Sequence, residues 1–373
     1  MSHDPVRWHS FETMTRFMRA VFTGIGVPEE DAAVCADVLI SADRRGIDSH
    51  GAGRLKTIYY DRIVHHKTQL PTTLTTIVRE GPTTAVVDGG NGMGMVVSKR
   101  CMDMAIAKAR EYGLGMVVAR NSTHYGIAAY YPMMAAEAGM VGLTGTNARP
   151  SIAPTFGVDN MLGTNPLVFA MPTDEPFPFT NDYATSISQR GKIESYARAG
   201  RPLPPSWVIG RDGQPMTDPE QTLAALDNGT AALAPLGGIG EETGGYKGYG
   251  YATVVEILSA ALQQGAFLRQ LSGFENGKRT PAKLGHFFLA MNIECFTDVA
   301  AFKKTCGDIL RALRASAKAP GADRIYTCGE KEWLAEQERR DKGVPVNTAL
   351  ARQLVAMRDE IGLDKDEYPF DPS

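Results

Sequence analysis

Apolar residues recur every three to four positions near both ends of the chain, while short, continuous or alternating apolar runs crowd its middle, so helical flanks enclose a strand-bearing centre. Ser10 to Ile25 and Pro28 to Arg45 read as amphipathic helices. In the second, Ala32, Cys35, Val38, Leu39 and Ala42 share one face, Pro28 stands at the start, acids fill the first turn and Gly46 stops it. Thr83 to Gly113 reads as strand, glycine turn and helix, and Gly115 to Asn121 as a strand ending in polar residues. Gly126 to Gly139 predicts a small-residue helix closed by a terminal glycine. Ala232 to Phe267 is a glycine-rich loop leading into a core helix, and Leu284 to Ile293 looks like a buried strand. Between them, RPLPP starts an excursion whose RDGQPMTDPE (211–220) is turn chemistry and predicts an exposed loop. From Asp298 onward the pattern is helical, with Gly362 where the last helix should end. Helices at both ends imply that the termini share one lobe.

Composition narrows the function. At 373 residues, 43% hydrophobic and 22% charged, the chain can build two or three packed lobes of an ordinary globular protein. A net charge of −3 supplies no basic field for nucleic acid, and no apolar run is long enough to span a bilayer, so the expected partner is a small molecule. The five cysteines, Cys35, Cys101, Cys295, Cys306 and Cys328, are widely spaced without a CxxC pair, which argues against a disulfide framework or a thiolate zinc site. No HExxH or similar spacing suggests a metal. The first dozen residues lack the apolar core of a signal peptide, and the expected location is the cytoplasm.

Candidate chemistry concentrates in two stretches. In Arg120 to Pro166, His124 falls between a strand and a helix start, where Ser122 or Thr123 can cap and free N–H groups could hold a phosphate or carboxylate; the alternative is a turn histidine bonded to a nearby carbonyl. In IDSHGAGRL, Ser49 can cap a turn, and His50 and Arg54 stand four residues apart, on one face if that turn is helical. A histidine exchanges a proton near neutral pH and a guanidinium holds a carboxylate by two parallel bonds, although an exposed helix start with a capping histidine would read the same way. Gly90, Gly92 and Gly94 give G-x-G-x-G, and the following strand ends in Arg120 and Asn121 without a ribose-binding acid. The dinucleotide fingerprint therefore fails, and the glycines read as a turn closely approached by another backbone.

DSHGAGRL, VVDGGNGMG, RNSTHYGIAAYY, TNARPSIAPTFG, LGTNP, DYATS with GKI, APLGG, GYKGYGYATVVEIL and TCGEKEW, in this order over nearly the whole chain, resemble the second, non-Rossmann type of malate/L-lactate dehydrogenases. That family also includes ureidoglycolate, sulfolactate and diketogulonate oxidoreductases and piperideine-2-carboxylate reductases. The resemblance implies an α/β (α+β) fold whose cofactor domain is a mixed, mostly antiparallel sheet and not a Rossmann fold. It implies a helical domain from residues 1–75 and 300–373 around a cofactor and substrate region, 76–299, and a homodimer with sites near the interface. NAD or NADP is the implied cofactor, and a 2-keto acid interconverted with its 2-hydroxy acid the implied substrate. A cyclic imine reductase is the nearest alternative, and a non-catalytic dinucleotide-binding protein the alternative of another class. By the resemblance His50 is the proton donor, supported by Ser49, and Arg54 binds the substrate carboxylate; His124 lies against the nicotinamide and in some members is the proton acceptor. Thr164 would touch substrate. Tyr125, Gly126, Asp182, Tyr183 and Ala184 would line the cofactor site, with Lys247 and the turn at Gly329 and Glu330 approaching the dinucleotide. The last motif carries Cys328 where the family usually has proline. Arg149 stands where relatives more often carry serine; facing inward it would favour a substrate with a second anionic group, whereas facing solvent or paired with Asp159 it would not.

Overall fold

The computed structural model describes residues 6–370; the first five residues of the N-terminal stretch read for targeting lie outside it. Its centre is a seven-stranded mixed sheet. In chain order the strands are β1 (Thr76–Glu80), β2 (Thr84–Asp88), β3 (Leu114–Ser122), β4 (Met140–Thr146), β5 (Leu167–Met171), β6 (Phe179–Tyr183) and β7 (Leu284–Asn292), laid side by side as β1-β2-β3-β7-β4-β5-β6. Only β2 and β3 pair in parallel, across the Gly94–Tyr112 helix; every other pair is antiparallel. The buried strand expected near Leu284 is the central one. Its run LGHFFLAMN is apolar on both faces because both faces are covered, and it pairs with β3 on one side and β4 on the other.

This topology fixes where a site can form. β3 and β4 both run antiparallel to β7, so they end at the same edge of the sheet, where β7 begins. The antiparallel steps to β5 and β6 bring the start of β5 and the end of β6 to that edge too. The segments around and after Ser122, after Thr146, before Leu167 and at the Tyr183 end of β6 therefore converge, and they carry most of the candidate residues.

The main core is one continuous cluster joining the Phe11–Gly24, Glu29–Arg44 and Thr348–Ile361 helices to the Gly94–Tyr112 helix and one face of the sheet. The chain ends meet directly, since Val6–His9 pairs with Val344–Asn347. A smaller cluster gathers around the hairpin of Val208–Gly210 and Ala231–Leu233. The excursion expected as an exposed loop contains the Pro219–Asp227 helix, capped by Asp218 with Pro219 in its first turn, a start signal outweighed by the surrounding turn residues. The helix expected from Gly126 begins at Tyr130. Gly126 itself has φ +79°, outside the helical region, and a Cβ there would meet Val38 Cγ1 at 2.4 Å.

The glycine turn is closely approached, as its sequence implies. A Cβ at Gly90 would meet Leu74 O at 2.7 Å, one at Gly92 would meet Thr73 Cα at 2.7 Å, and one at Gly94 would meet Thr123 O at 2.2 Å. Gly94→Ala should therefore be destabilising although alanine is the better helix former by about 1 kcal/mol, because backbone cannot yield as a side chain can and overpacking costs about 1–3 kcal/mol or more. Denaturant unfolding checks it: a variant as stable as the parent would mean the two turns can move apart freely.

Candidate active site

Ser49 and His50 ride on a loop held from behind by Asp43. This carboxylate is buried on the Glu29–Arg44 helix and accepts the Ala52 N–H at 2.9 Å, while Gly51 is pressed so close that a Cβ would lie 1.8 Å from Asp43 Oδ1. Arg339 spans the loop from outside, donating to Asp43 O and to both oxygens of Asp48. Ser49 does not cap a helix; its hydroxyl meets His50 Nδ1 at 2.9 Å. Arg54 closes a short 3-10 turn over Ala52–Arg54, and its Nε bonds back to Ser49 O at 2.5 Å. The next turn, Leu55–Tyr60, is a π-helix, the wide form frequent at functional sites. From it the Tyr59 hydroxyl reaches His124 Nδ1 at 2.7 Å, and Arg62 follows one turn on.

His124 stands just past the end of β3. Thr123 anchors it, its hydroxyl donating to Gly92 O and accepting the Gly94 N–H, both at 2.9 Å. Two of the donors at this turn are taken by the protein: the Gly126 N–H points at His124 Nδ1 (3.2 Å), and the Ala129 N–H at the start of the Tyr130–Glu137 helix goes to Asp182 Oδ2 (3.0 Å). A carboxylate thus already caps the start of that helix at Ala129. The two imidazoles stack, with centroids 6.0 Å apart and planes 19° from parallel. Behind them Tyr125 is sandwiched between Tyr131 and the buried His286, the latter at 4.7 Å and 8°.

Electrostatics keep these rings neutral. Burial and then the Arg54 charge push His50 down to about 4, and burial, His50, Arg62 and Arg54 push His124 well below its ordinary value. Burial drives His286 down to about 3. Carboxyl groups at the rim move the opposite way for the same reason: burial raises Asp43 to about 7 and Asp182 to about 6, the latter against the pull of the Ala129 N–H and Arg45.

Two cavities meet at His124, Ala148, Thr164 and Leu284. The smaller, about 180 Å³, is lined by Ser49, His50, Tyr125, Gly126, Asp182 and Ala184 among others. The larger, about 500 Å³, is lined by Arg62, Arg149, Arg190 and Arg279. The structure thus unites Ser49, His50, His124, Tyr125, Gly126, Thr164, Asp182 and Ala184 around one space and sets Arg149 across His124 from it. Arg54 lines neither cavity but stands beside the histidines, with its terminal guanidinium nitrogens unbound among the described residues. Tyr183 is exposed and meets Cys328 Sγ at 3.2 Å. Lys247 is exposed over the Tyr246 ring. Gly329 starts the Glu330–Lys342 helix, and Glu330 is buried, bound to the Thr327 N–H, Arg314 and Arg324. Tyr183, Lys247, Gly329 and Glu330 line neither cavity. Among the described residues no group of three or more His, Cys, Asp or Glu could hold a metal ion.

Sequence reading missed Asp43, Tyr59, Arg62 and Arg279. Arg62 left a trace, standing eight residues beyond Arg54 and so within reach of the same side. The 180 Å³ cavity suits a flat ring bearing a carboxamide: Ile47, Ile127, Pro166 and Leu284 supply apolar walls, and Gln189 and Asp182 supply polar partners.

A family model described as malate/L-lactate dehydrogenase matches residues 9–355. A malate dehydrogenase of Pyrococcus horikoshii is 42% identical over 348 residues, 93% of this chain and 94% of that protein. An L-sulfolactate dehydrogenase of Methanocaldococcus jannaschii is 36% identical over 93% of this chain and 95% of its own length. The crystal structure of malate dehydrogenase from Entamoeba histolytica superposes with a TM-score of 0.92 at 44% identity, covering 96% of this chain and 99% of that one.

Asp43 yields a pH test of the loop support. Its folded-state pKa of about 7 lies above the ordinary 3.8, so its contribution to stability is full below 3.8 and is lost as the pH rises through about 7. Asp43→Asn keeps an acceptor for Ala52 but not the titration. Measured by denaturant midpoints, the variant should gain on the parent between about pH 4 and 7 and hold a constant difference above. A difference independent of pH would mean that Asp43 does not titrate in this window.

Proposed function

The chain belongs to the malate/L-lactate dehydrogenase family, whose members are NAD(P)-dependent, and we propose that it interconverts a 2-keto acid and its 2-hydroxy acid, with preference for substrates that carry a second anionic group. The observation that carries this reading is the pair of joined cavities, one holding two neutral histidines and the other lined by Arg62, Arg149 and Arg279, none of which makes an ion pair among the described residues, beside an Arg190 already paired with Asp227. Arg149 makes no ion pair among the described residues, and Asp159, its expected alternative partner, is held by Arg211 and Arg269. Arg62 is lowered first by burial, with Arg279 and Arg149 adding to it, and the one carboxylate among the residues lining this chamber, Asp227, is engaged with Arg190, so the chamber carries an excess of positive charge. Malate and sulfolactate, named for the relatives, both have the two anionic ends such a chamber fits.

In this mechanism the bound NAD or NADP supplies or accepts the hydride at C2. His50, poised by Ser49, gives or takes the proton of the substrate oxygen. Arg54 clamps the C1 carboxylate through its two free terminal nitrogens and holds C2 in line, and Arg149 with Arg62 receives the second anion. Thr164, at the junction of the cavities, contacts the substrate between its two ends. Tyr125, Gly126, Asp182 and Ala184 form the wall for the nicotinamide, while Lys247, Tyr183, Gly329 and Glu330 serve the more distant parts of the dinucleotide. We place the enzyme in the cytoplasm as a homodimer. The Gly245–Ala260 helix supports the dimer, since Tyr251, Val254 and Ile257 leave an apolar face exposed, and no helix among the described residues is long and apolar enough to cross a membrane.

Arg54→Ala should mainly raise KM for a keto acid, with Arg54→Lys restoring it only in part because an ammonium cannot bond bidentately. Unchanged KM in the alanine variant would remove the clamp. The second anion is tested by following NADH and NADPH oxidation with oxaloacetate and pyruvate, in the parent protein and in Arg149→Ser. A charge-assisted bond of about 1.5–3 kcal/mol favours the dianion by roughly ten- to more than a hundredfold in kcat/KM. That preference should shrink in the variant; equal preference in both proteins would defeat the assignment.

A further inference from the structure

The two histidines are held by partners of different kinds, and the difference decides which of them can carry a proton. His124 Nδ1 faces the Tyr59 hydroxyl at 2.7 Å and the Gly126 backbone N–H at 3.2 Å. A backbone N–H can only donate, so Nδ1 is the lone-pair nitrogen and the ring proton sits on Nε2. A second proton at Nδ1 would set two N–H groups against one another. The ring has no room to avoid this: the buried Tyr59 meets it edge-on with centroids 5.7 Å apart, and His50 stacks on it. The charged and titratable groups that act on it, His50, Arg62, Arg54 and His286, all disfavour the imidazolium; Tyr59 is its hydrogen-bond partner, and Asp182, which lines the same cavity, is engaged with the Ala129 N–H. His50 is free of this constraint. Its Nδ1 meets only the Ser49 hydroxyl, which can donate or accept, so either tautomer or the imidazolium keeps the contact.

We infer that Tyr59 is a positioning residue that, together with the Gly126 N–H, locks His124 as a neutral imidazole protonated on Nε2. His124 then serves the reacting oxygen as a fixed hydrogen-bond donor, and the proton itself travels on His50. In reduction, hydride from the reduced nicotinamide forms the new C–H bond at C2, the carbonyl π pair moves to oxygen, and the proton of the His50 imidazolium passes to that oxygen, leaving His50 neutral; oxidation is the reverse. Burial lowers His50 most and the Arg54 charge second, so an anion on Arg54 would relieve the second of these causes and favour the imidazolium. The proton route rests on the keto-acid reading, whereas the tautomer of His124 does not.

The test begins without substrate or cofactor. A long-range proton–nitrogen correlation spectrum of the labelled full-length protein, with His124 assigned by its loss in His124→Gln, should show the Nε2–H form unchanged from about pH 5 to 9. Tyr59→Phe removes the shorter of the two contacts at Nδ1 and should shift the Nδ1 resonance toward that of a lone-pair nitrogen with a weaker hydrogen bond. A parent His124 that titrates there or is protonated on Nδ1 overturns the inference, and an unchanged spectrum in Tyr59→Phe overturns the role of Tyr59. Kinetics then separate the histidines. Glutamine at 124 can still donate a hydrogen bond, so His124→Gln should keep the ionisation that limits kcat, while His50→Gln should lose it along with about 10²- to 10⁴-fold in kcat. The reverse pattern overturns the assignment of the proton to His50. Absence of turnover with every keto acid would defeat the substrate reading alone, because the spectrum would still report the lock.

Discussion

The position of His124 depends on one close contact, that of the Gly89–Gly94 turn with the backbone at Thr123 and His124. Only glycine permits it, since a Cβ on Gly94 would lie 2.2 Å from Thr123 O and 2.5 Å from His124 O. The Thr123 hydroxyl welds the two turns by serving as donor to one and acceptor to the other. The contact also disposes of the apparent nucleotide-binding unit. A parallel strand pair with a helix between them ordinarily offers that helix's first N–H groups to a pyrophosphate. Here the Gly94 N–H, at the start of the Gly94–Tyr112 helix, is donated into a buried threonine. The helix start that would have bound phosphate instead holds the strand end that carries the histidine.

Around that fixed point the site gathers an excess of positive charge. Arg54 and Arg62 lie close enough to depress His124, Arg149 and Arg279 depress Arg62, and the acids that line the two cavities are engaged, Asp182 with the Ala129 N–H and Asp227 with Arg190. Burying guanidiniums and imidazoles without counter-ions costs free energy, which the folded protein tolerates by keeping the imidazoles neutral and leaving Arg149 and Arg279 in contact with solvent. In the proposed function a bound dianion would supply the missing charges, which would link its binding to the protonation of His50. On that proposal substrate selection and acid–base chemistry would be parts of one electrostatic arrangement.

Much of this was legible in the chain and some was not, for identifiable reasons. The helices at Phe11–Gly24 and Glu29–Arg44, the central strand and the glycine turn each agree with their local pattern because their burial is one-sided or complete, and both leave a clear periodicity. Motif order identified the family and brought His50, His124, Thr164 and Asp182 to one place. What pattern could not supply was direction. Glu330 sits in a recognisable motif yet points into a network with Arg314 and Arg324. Gly126 resembles a helix start, but its φ of +79° delays the helix to Tyr130. Asp43 looked like one more polar residue near a helix end, because a buried carboxylate announces itself only through the loop that folds over it.

The π-turn at Leu55–Tyr60 is the clearest case of geometry that no period expresses. In an α-helix residues three and four apart share a side, so Arg54 and Tyr59, five apart, would point away from one another. A π-turn joins i to i+5 and is wide enough to bring such a pair onto one side. Through it Arg54 remains over Ser49 while Tyr59 reaches His124 and Arg62 enters the larger cavity. A helix wound in the usual way would have to give up one of these contacts, and the weaker hydrogen bonding of the wide turn is the local cost of keeping all three at the same site.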